Sequence, residues 1–520
     1  MSLSPFAYGH DTLTPSLALA LSRRHQSGYI SDQARQQIRY SRQIVQQIID
    51  KKAVVYGITT GFGPLCTTFI SPEDATQLQH NLLVSHAAGM GDPVPDDIVR
   101  LMLVLKVHAL AMGHSGIRLE TIDRLLWMLA YDIVPVVPRQ GSVGASGDLA
   151  PLAHLFLPLL GLGEVRYRGK VWPSNNLLAN LGQPPLTLGP KEGLALINGT
   201  QFMAAYGVLI LERLHQCLDS ADIIAAMSLE ALAGSARPFH PGLHDLRPHP
   251  GSQYVAARLR TLLIGSDIMQ SHIDCDRVQD PYSLRCIPQV HGASRQAWRH
   301  VRNVLSTEIN SVTDNPILLD VDHIISGGNF HGQPIALPLD YAGLAAAEIG
   351  NISERRIYLS LDGKVPGLPP LLMEKTGLHS GFMVPQYTAA ALVAENRSLC
   401  FPASADSIPT AMGQEDHVSM GSISAPKTLR IVENLEQILA IELLMAAQGI
   451  DFRRPLRSSP ILEHCHRQVR QSIPFREKDT LFGPDLQAAL NIVRNGQLLE
   501  WVKEHWPENP LEGHAQFGWA

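Results

Sequence analysis

The sequence predicts a mainly α fold, a long central helix bundle joined to a mixed, loop-rich N-terminal part. Three observations carry that prediction: apolar residues recur at a spacing near 3.6 through long segments, extended pieces are few and show no βαβ alternation, and the glycine-rich stretches fall between the helical segments. The chain of 520 residues is 45% hydrophobic and 17% charged, enough apolar material for a large buried core. Two closely fused units are expected, residues 1–200 and residues 201–520, the second holding the long helices and a C-terminal helical region.

The elements can be justified in chain order. A helical segment is expected at about 73–88, and a clearer one at 95–113, where Pro95 opens, Asp96 and Asp97 occupy the first turn favoured by the helix dipole, and Gly113 closes. Short extended pieces near 164–172 and 317–326 flank helices at 203–234 and 293–312. Further helices follow at 339–361, 386–400 and 424–449. The segments 339–361 and 424–449 are apolar around most of their circumference, so they need cover on several sides; a bundle shared between identical chains would supply part of it. Glycine-rich stretches at 56–64, 141–148, 326–333 and 377–383 are the loops that such a scaffold would hold rigidly, which is where function tends to sit.

Composition excludes several classes. A net charge of −6 and the absence of any run of like charges leave no basic field for nucleic acid. No signal peptide is recognisable, and the most apolar stretch, Leu149 to Gly163, is broken by His154 and Pro158 and is too short for a bilayer of about 30 Å. Six cysteines (66, 217, 275, 286, 400, 465) without a CxxC pair read as reduced, mostly buried thiols, which points to the cytoplasm. His464-Cys465-His466 lacks a complementary half-site, and no carboxylate loop is present, so no metal is expected.

The informative segment is RQGSVGASGDLAPLAH at 139–154. By itself it reads as a tight loop before a helix, with Asp148 near the helix start. It is not a hydrolase elbow, since the last glycine of G-x-S-x-G is replaced by Asp148, and it fits neither phosphate-loop pattern.

This stretch resembles the signature of the histidine and phenylalanine ammonia-lyase family, in which Ala-Ser-Gly cyclises into 4-methylideneimidazol-5-one. The resemblance runs over essentially the whole chain: YGITTGFG at 56–63, SHAAG at 85–89, LINGT at 196–200, QDPYSLRC at 279–286, TDNP at 313–316, SGGNFHGQP at 326–334, HSGF at 379–382 and QEDHVSM at 414–420. It implies the histidine ammonia-lyase-like fold, with the N-terminal part carrying the reactive loop, and a prosthetic group formed autocatalytically from Ala145, Ser146 and Gly147 with no external cofactor. The residue types suit that reaction. Glycine does not obstruct a compressed turn, alanine adds little bulk, and serine brings the hydroxyl that leaves. An α-amino acid has a poor leaving group and a weakly acidic β-proton, and covalent capture splits the difficult elimination into easier steps.

The resemblance also assigns roles. Tyr56 becomes the β-proton base, which requires its phenol pKa to fall from about 10 toward working pH. Tyr282 is the second tyrosine at the electrophile, and Arg285 has the planar fork suited to a substrate carboxylate. Asn198 meets substrate polar groups and the ring, Asp148 assists ring formation and could also cap a helix, and Gln279 and Phe330 line the pocket. Ser85-His86 and Gln414-Glu415 match the histidine-specific pattern rather than the pairs of aromatic members. An imidazole brings a donor and an acceptor, which His86 and Glu415 can meet; leaving either unpaired would cost about 1–3 kcal/mol. Gly413 departs from the asparagine usual in histidine-acting members. The implied protein is a cytoplasmic homotetramer whose active sites combine residues from three chains, converting L-histidine to trans-urocanate and ammonia. Two alternatives stay open: a tyrosine or phenylalanine lyase or aromatic aminomutase of the same family, and a catalytically silent helical scaffold.

Overall fold

The computed structural model describes residues 4–71, 73–273, 277–505 and 515–519, and Cys275 lies outside them. The chain enters through one small parallel unit, strand Phe6–Tyr8, helix Pro15–Ser22 and strand Gly28–Ile30. This single βαβ crossover was not expected, because three-residue strands are too short to display a period. Helix Asp32–Asp50 follows, capped by the Ser31 side chain and turning Ile38, Ile44, Val45 and Ile48 inward. The periodicity reading did not single it out, nor Leu119–Tyr131, Pro250–Leu262, Pro460–Ser472, Gly483–Arg494 or Gln497–His505.

The expected helix at 95–113 runs Asp96–Ala111, with Pro95 at the N-cap and Asp96 and Asp97 in its first turn. Its inner face buries every residue from Leu101 to Ala111, Lys106 and His108 included. The extended pieces near 164–172 and 317–326 are short antiparallel ladders, Glu164–Tyr167 with Lys170–Pro173 and Ile317–Leu318 with Ile324–Ile325.

Four long helices form the bundle: Gln201–Ala231, Ile287–Glu308, Gln333–Leu361 and Gly421–Asp451. All four start before the expected boundary; in Ile287–Glu308 and Gln333–Leu361 a proline occupies the opening turn, where it is tolerated. Pro338 and Pro426 lie one turn further in, where each removes one backbone bond without ending the helix. Gly292 sits inside Ile287–Glu308 because a Cβ there would meet the Ser252 nitrogen at 2.4 Å, so the two helices cross backbone to backbone.

Gln201–Ala231 buries everything except Glu212, Arg213 and Gln216. Its acids Asp219 and Asp222 meet Arg295 of Ile287–Glu308 at 2.9 and 2.6 Å, so the charges enter the core as hydrogen-bonded pairs. Gly421–Asp451 is also covered within one chain, apart from a stripe through Ile423, Lys427, Arg430, Glu433 and Gln437. A second chain is therefore not needed to cover it, contrary to the expectation for 424–449. Gln333–Leu361 is different, since Leu337, Tyr341, Leu344 and Tyr358 remain exposed on one face.

The apolar core is continuous from Phe6 to Phe517. Among the described residues no helix is long and apolar enough to cross a membrane. Of the described cysteines, Cys217 and Cys465 are buried while Cys66, Cys286 and Cys400 are half-buried, and none forms a disulfide.

Candidate active site

Two elements bring the reactive loop to its place. Strand Met90–Pro93, just beyond helix Ala75–His86, pairs antiparallel with Pro138–Gln140, so the end of that helix and the start of loop 141–148 lie side by side. Beyond the loop, Asp148 donates its N–H to the Gly199 carbonyl at 2.8 Å, and Gly199 donates to the Ser146 carbonyl at 3.4 Å. Residues 147 and 199 thus form an isolated parallel bridge.

The loop is compressed as a cyclising tripeptide must be. Ser146 has φ +48 and Gly147 φ +81, both left-handed, and a Cβ on Gly147 would lie 2.1 Å from the Gly199 oxygen. Gly144 is equally constrained, because a Cβ there would meet Ser419 Oγ at 2.3 Å. Ala145 packs on Val418 and Met420 in a small apolar cluster. Small residues and an approach that excludes side chains fit the ring expected from Ala145, Ser146 and Gly147.

Asp148 is fully buried and does not cap its own helix. Its Oδ2 instead accepts the N–H groups of Phe202 and Met203 at 3.0 and 3.1 Å, capping the N-terminus of Gln201–Ala231. The expected cap role therefore holds for a different helix, because the chain turns at Asp148 and sends the side chain across to the bundle. Burial pushes its carboxyl up to about 8, with the two N–H groups opposing, and Oδ1 has no partner among the described residues. At pH 7 this acid is mostly protonated and could donate as well as accept.

A cleft of about 1010 Å³ opens at the loop, and Tyr56, His86, Ser146, Asn198, Phe330 and Glu415 line it together with Ser85 and Gln414. Ser146 Oγ donates to Glu415 Oε1 at 3.1 Å, and Thr410 Oγ1 donates to Oε2 at 2.8 Å, so the carboxylate is held from both sides. His86 Nδ1 lies 3.1 Å from Ser85 Oγ. Burial holds the His86 imidazole below its ordinary pKa, with the Leu82 carbonyl and Glu415 opposing, so the ring is predominantly neutral at pH 7 and can both donate and accept. Asn198 is buried, donates to the Asn315 carbonyl at 3.3 Å, and keeps Oδ1 without a partner among the described residues.

Tyr56 accepts from the Gly63 N–H at 3.2 Å. Its phenol is nevertheless held above the ordinary value, first by burial and also by the Glu415 charge, with the Gly63 bond only partly opposing. The lowering expected from sequence does not occur within one chain, because burial outweighs the Gly63 bond and no cation among the described residues offsets it.

Gln279, Tyr282 and Arg285 are not in this cleft. They belong to a stretch lining a separate cavity of about 500 Å³. Tyr282 is 70% exposed, and Arg285 stacks on its ring at 4.4 Å while donating Nε to the Asp280 carbonyl at 3.0 Å. With the Gln279 amide turned to face it, its oxygen lies 2.8 Å from the guanidinium.

The sequence reading missed Thr410 and Lys106. Lys106 is 2% exposed and donates to the Asn198 carbonyl; burial pushes its ammonium down to about 7. A lone lysine in the apolar run LMLVLKVHALA was the available signal. Gly413, the departure from the family's asparagine, has φ +86, a conformation that asparagine also tolerates, so the backbone path does not depend on the exchange. His466 Nε2 lies 3.2 Å from Asp451, and among the described residues no group of metal-type ligands gathers around it.

The family model for aromatic amino acid lyases matches residues 13–471. Histidine ammonia-lyase of Sorangium cellulosum is 50% identical over 494 residues, 93% of this chain and 96% of that protein. The crystal structure of histidine ammonia-lyase from Trypanosoma cruzi superposes with a TM-score of 0.90 at 42% identity, covering 100% of this chain and 98% of that one. A tyrosine aminomutase from Streptomyces globisporus superposes at 0.91 with 35% identity, covering 96% and 99%.

Proposed function

This chain belongs to the aromatic amino acid lyase family, and on that premise we propose that it is a carbon–nitrogen lyase that eliminates ammonia from L-histidine to give trans-urocanate. The observation that carries the histidine assignment is Glu415, held by Thr410, set beside Ser146 and sharing the cleft with a largely neutral His86. An imidazole there meets a carboxylate for its N–H and a donor for its other nitrogen, whereas a phenyl ring would leave both unpaired.

The 4-methylideneimidazol-5-one formed from Ala145, Ser146 and Gly147 supplies an electrophilic methylene at the floor of the cleft. Asp148 and Asn198 lie beside that position with one oxygen each uncommitted among the described residues. Tyr56 is the group placed to remove the β-proton, and the Gly63 N–H stabilises its phenolate. Arg285 would clamp the substrate carboxylate with Gln279 and Tyr282 beside it. In one chain none of the three lies in this cleft, Gln279 and Arg285 lining a different cavity, so the complete site would take them from a neighbouring copy. The exposed apolar face of Gln333–Leu361 is the surface over which copies would pack, and a homotetramer with sites shared between chains is the assembly proposed. Unpaired cysteines accord with a cytoplasmic enzyme.

Offering the purified protein histidine, tyrosine and phenylalanine separately, while following ammonia and the unsaturated acid, tests the proposal. Histidine should be turned over best; preference for tyrosine, or return of the amine to the β-carbon, would replace this reading by another chemistry of the family. A second expectation concerns pH. Because the Tyr56 phenol is held above its ordinary value, its basic form grows as pH rises, so kcat/KM should climb into the alkaline range instead of levelling near neutrality. Tyr56→Phe should lose that limb and at least about 10²-fold in kcat. An unchanged pH profile in the variant would make Tyr56 a packed aromatic only.

A further inference from the structure

We propose that Lys106 is the positioning residue for ring closure, fixing the Asn198–Gly199 peptide that serves as the template on which Ser146, Gly147 and Asp148 are folded. The inference rests on the reading that Ala145, Ser146 and Gly147 cyclise.

Lys106 projects from the inner face of helix Asp96–Ala111, and its partners are two neutral oxygens, the Asn198 carbonyl and, at 3.5 Å, Gln201 Oε1. The Asn198 carbonyl oxygen and the Gly199 N–H belong to one planar trans peptide and point in opposite directions. Pinning the oxygen on the lysine side therefore aims the Gly199 N–H at the other side, where the Ser146 carbonyl accepts it at 3.4 Å. The Gly199 carbonyl then accepts from Asp148 at 2.8 Å. In a parallel bridge of this kind the two bonds straddle the middle residue, whose own N–H faces away. That residue is Gly147, so the nitrogen that must attack is left out of the ladder while Ser146 and Gly147 themselves are held in left-handed conformations. Gly199 has φ +124, and a Cβ on it would meet Gln201 Oε1 at 2.5 Å and Thr313 Oγ1 at 2.7 Å, so the strut is packed on the lysine side and cannot swing.

The chemistry served is balanced within the chain. The Gly147 nitrogen bonds to the Ala145 carbonyl carbon, and that oxygen departs as water with the Gly147 and Ser146 amide hydrogens, leaving a C=N bond between Ala145 C and Ser146 N. Ser146 Oγ departs as a second water with the Cα hydrogen, leaving the methylene. Lys106 touches none of these atoms and acts only through the Asn198–Gly199 peptide.

Lys106→Met keeps length and apolar bulk while removing the donor. Intact mass measured at intervals after synthesis should show the wild-type chain losing two waters promptly and the folded variant losing them about 10²-fold more slowly, as expected when a reacting group is displaced by about 1 Å. KM of whatever fraction has matured should be that of the wild type. Gln201→Glu is the second variant: it retains Lys106 but offers its ammonium a competing carboxylate, and should also delay water loss in a chain whose circular dichroism and Tm are near wild type. Wild-type rates of water loss in either folded variant would overturn the proposal. A wild-type chain that never loses the waters would remove the ring itself, a failure distinguishable from that of Lys106.

Discussion

Replacing Ser146 with alanine is expected to leave a folded chain of unreduced mass whose lyase activity is lower by several orders of magnitude, each order about 1.4 kcal/mol of lost transition-state stabilisation. The hydroxyl is the group that departs, so without it no methylene can form, whatever the loop geometry. The cost to folding should be small. Its side chain donates to Glu415, a bond worth about 1 kcal/mol, and alanine at φ +48 is no more strained than serine. Circular dichroism and Tm near wild type, together with mass and ammonia release, check this. Full activity in Ser146→Ala would sink the proposed prosthetic group even if the fold were unchanged.

Glu415→Gln should cost about 10²–10³ in kcat for histidine, the range for removing one positioned group whose interaction is made mainly in the transition state. Glutamine keeps the shape and can still accept from Thr410, so the loss isolates the carboxylate's charge and proton-accepting capacity. The loop has its own bonds to Gly199, so the two waters should still be lost. Adding Ser85→Phe and His86→Leu should then favour phenylalanine relative to histidine, because the cleft loses the partners an imidazole needs. Undiminished histidine turnover in Glu415→Gln would withdraw the substrate assignment and leave the lyase standing.

Burial, with the nearby Glu415 adding to it, explains why Tyr56 departs from expectation. The family resemblance implies a base at Tyr56, but only through-space proximity shows that a carboxylate rather than a cation is its charged neighbour within the chain. Asp148 is a similar case. Its place before Leu149 suggests a cap for the next helix, yet the side chain caps a helix more than fifty residues further on. Helix boundaries at 287, 333 and 421 were misplaced for a simpler reason: prolines and glycines near a helix start look like breakers when the partner that accommodates them is unseen.

What the sequence by itself determined is the chemistry that lies within consecutive residues. The proposed ring closure would join atoms of Ala145, Ser146 and Gly147, so its reacting groups are covalent neighbours and the string names them without a fold. The helical class was legible for a related reason, since a period of 3.6 is a local property. Tertiary structure alone decided the rest. Glu415 meets Ser146 across 269 positions, Lys106 meets Asn198 across 92, and Gln279, Tyr282 and Arg285 fall outside the cleft of their own chain. Electrostatic and hydrogen-bond energies depend on distance and burial in space, and neither is a function of separation along the chain.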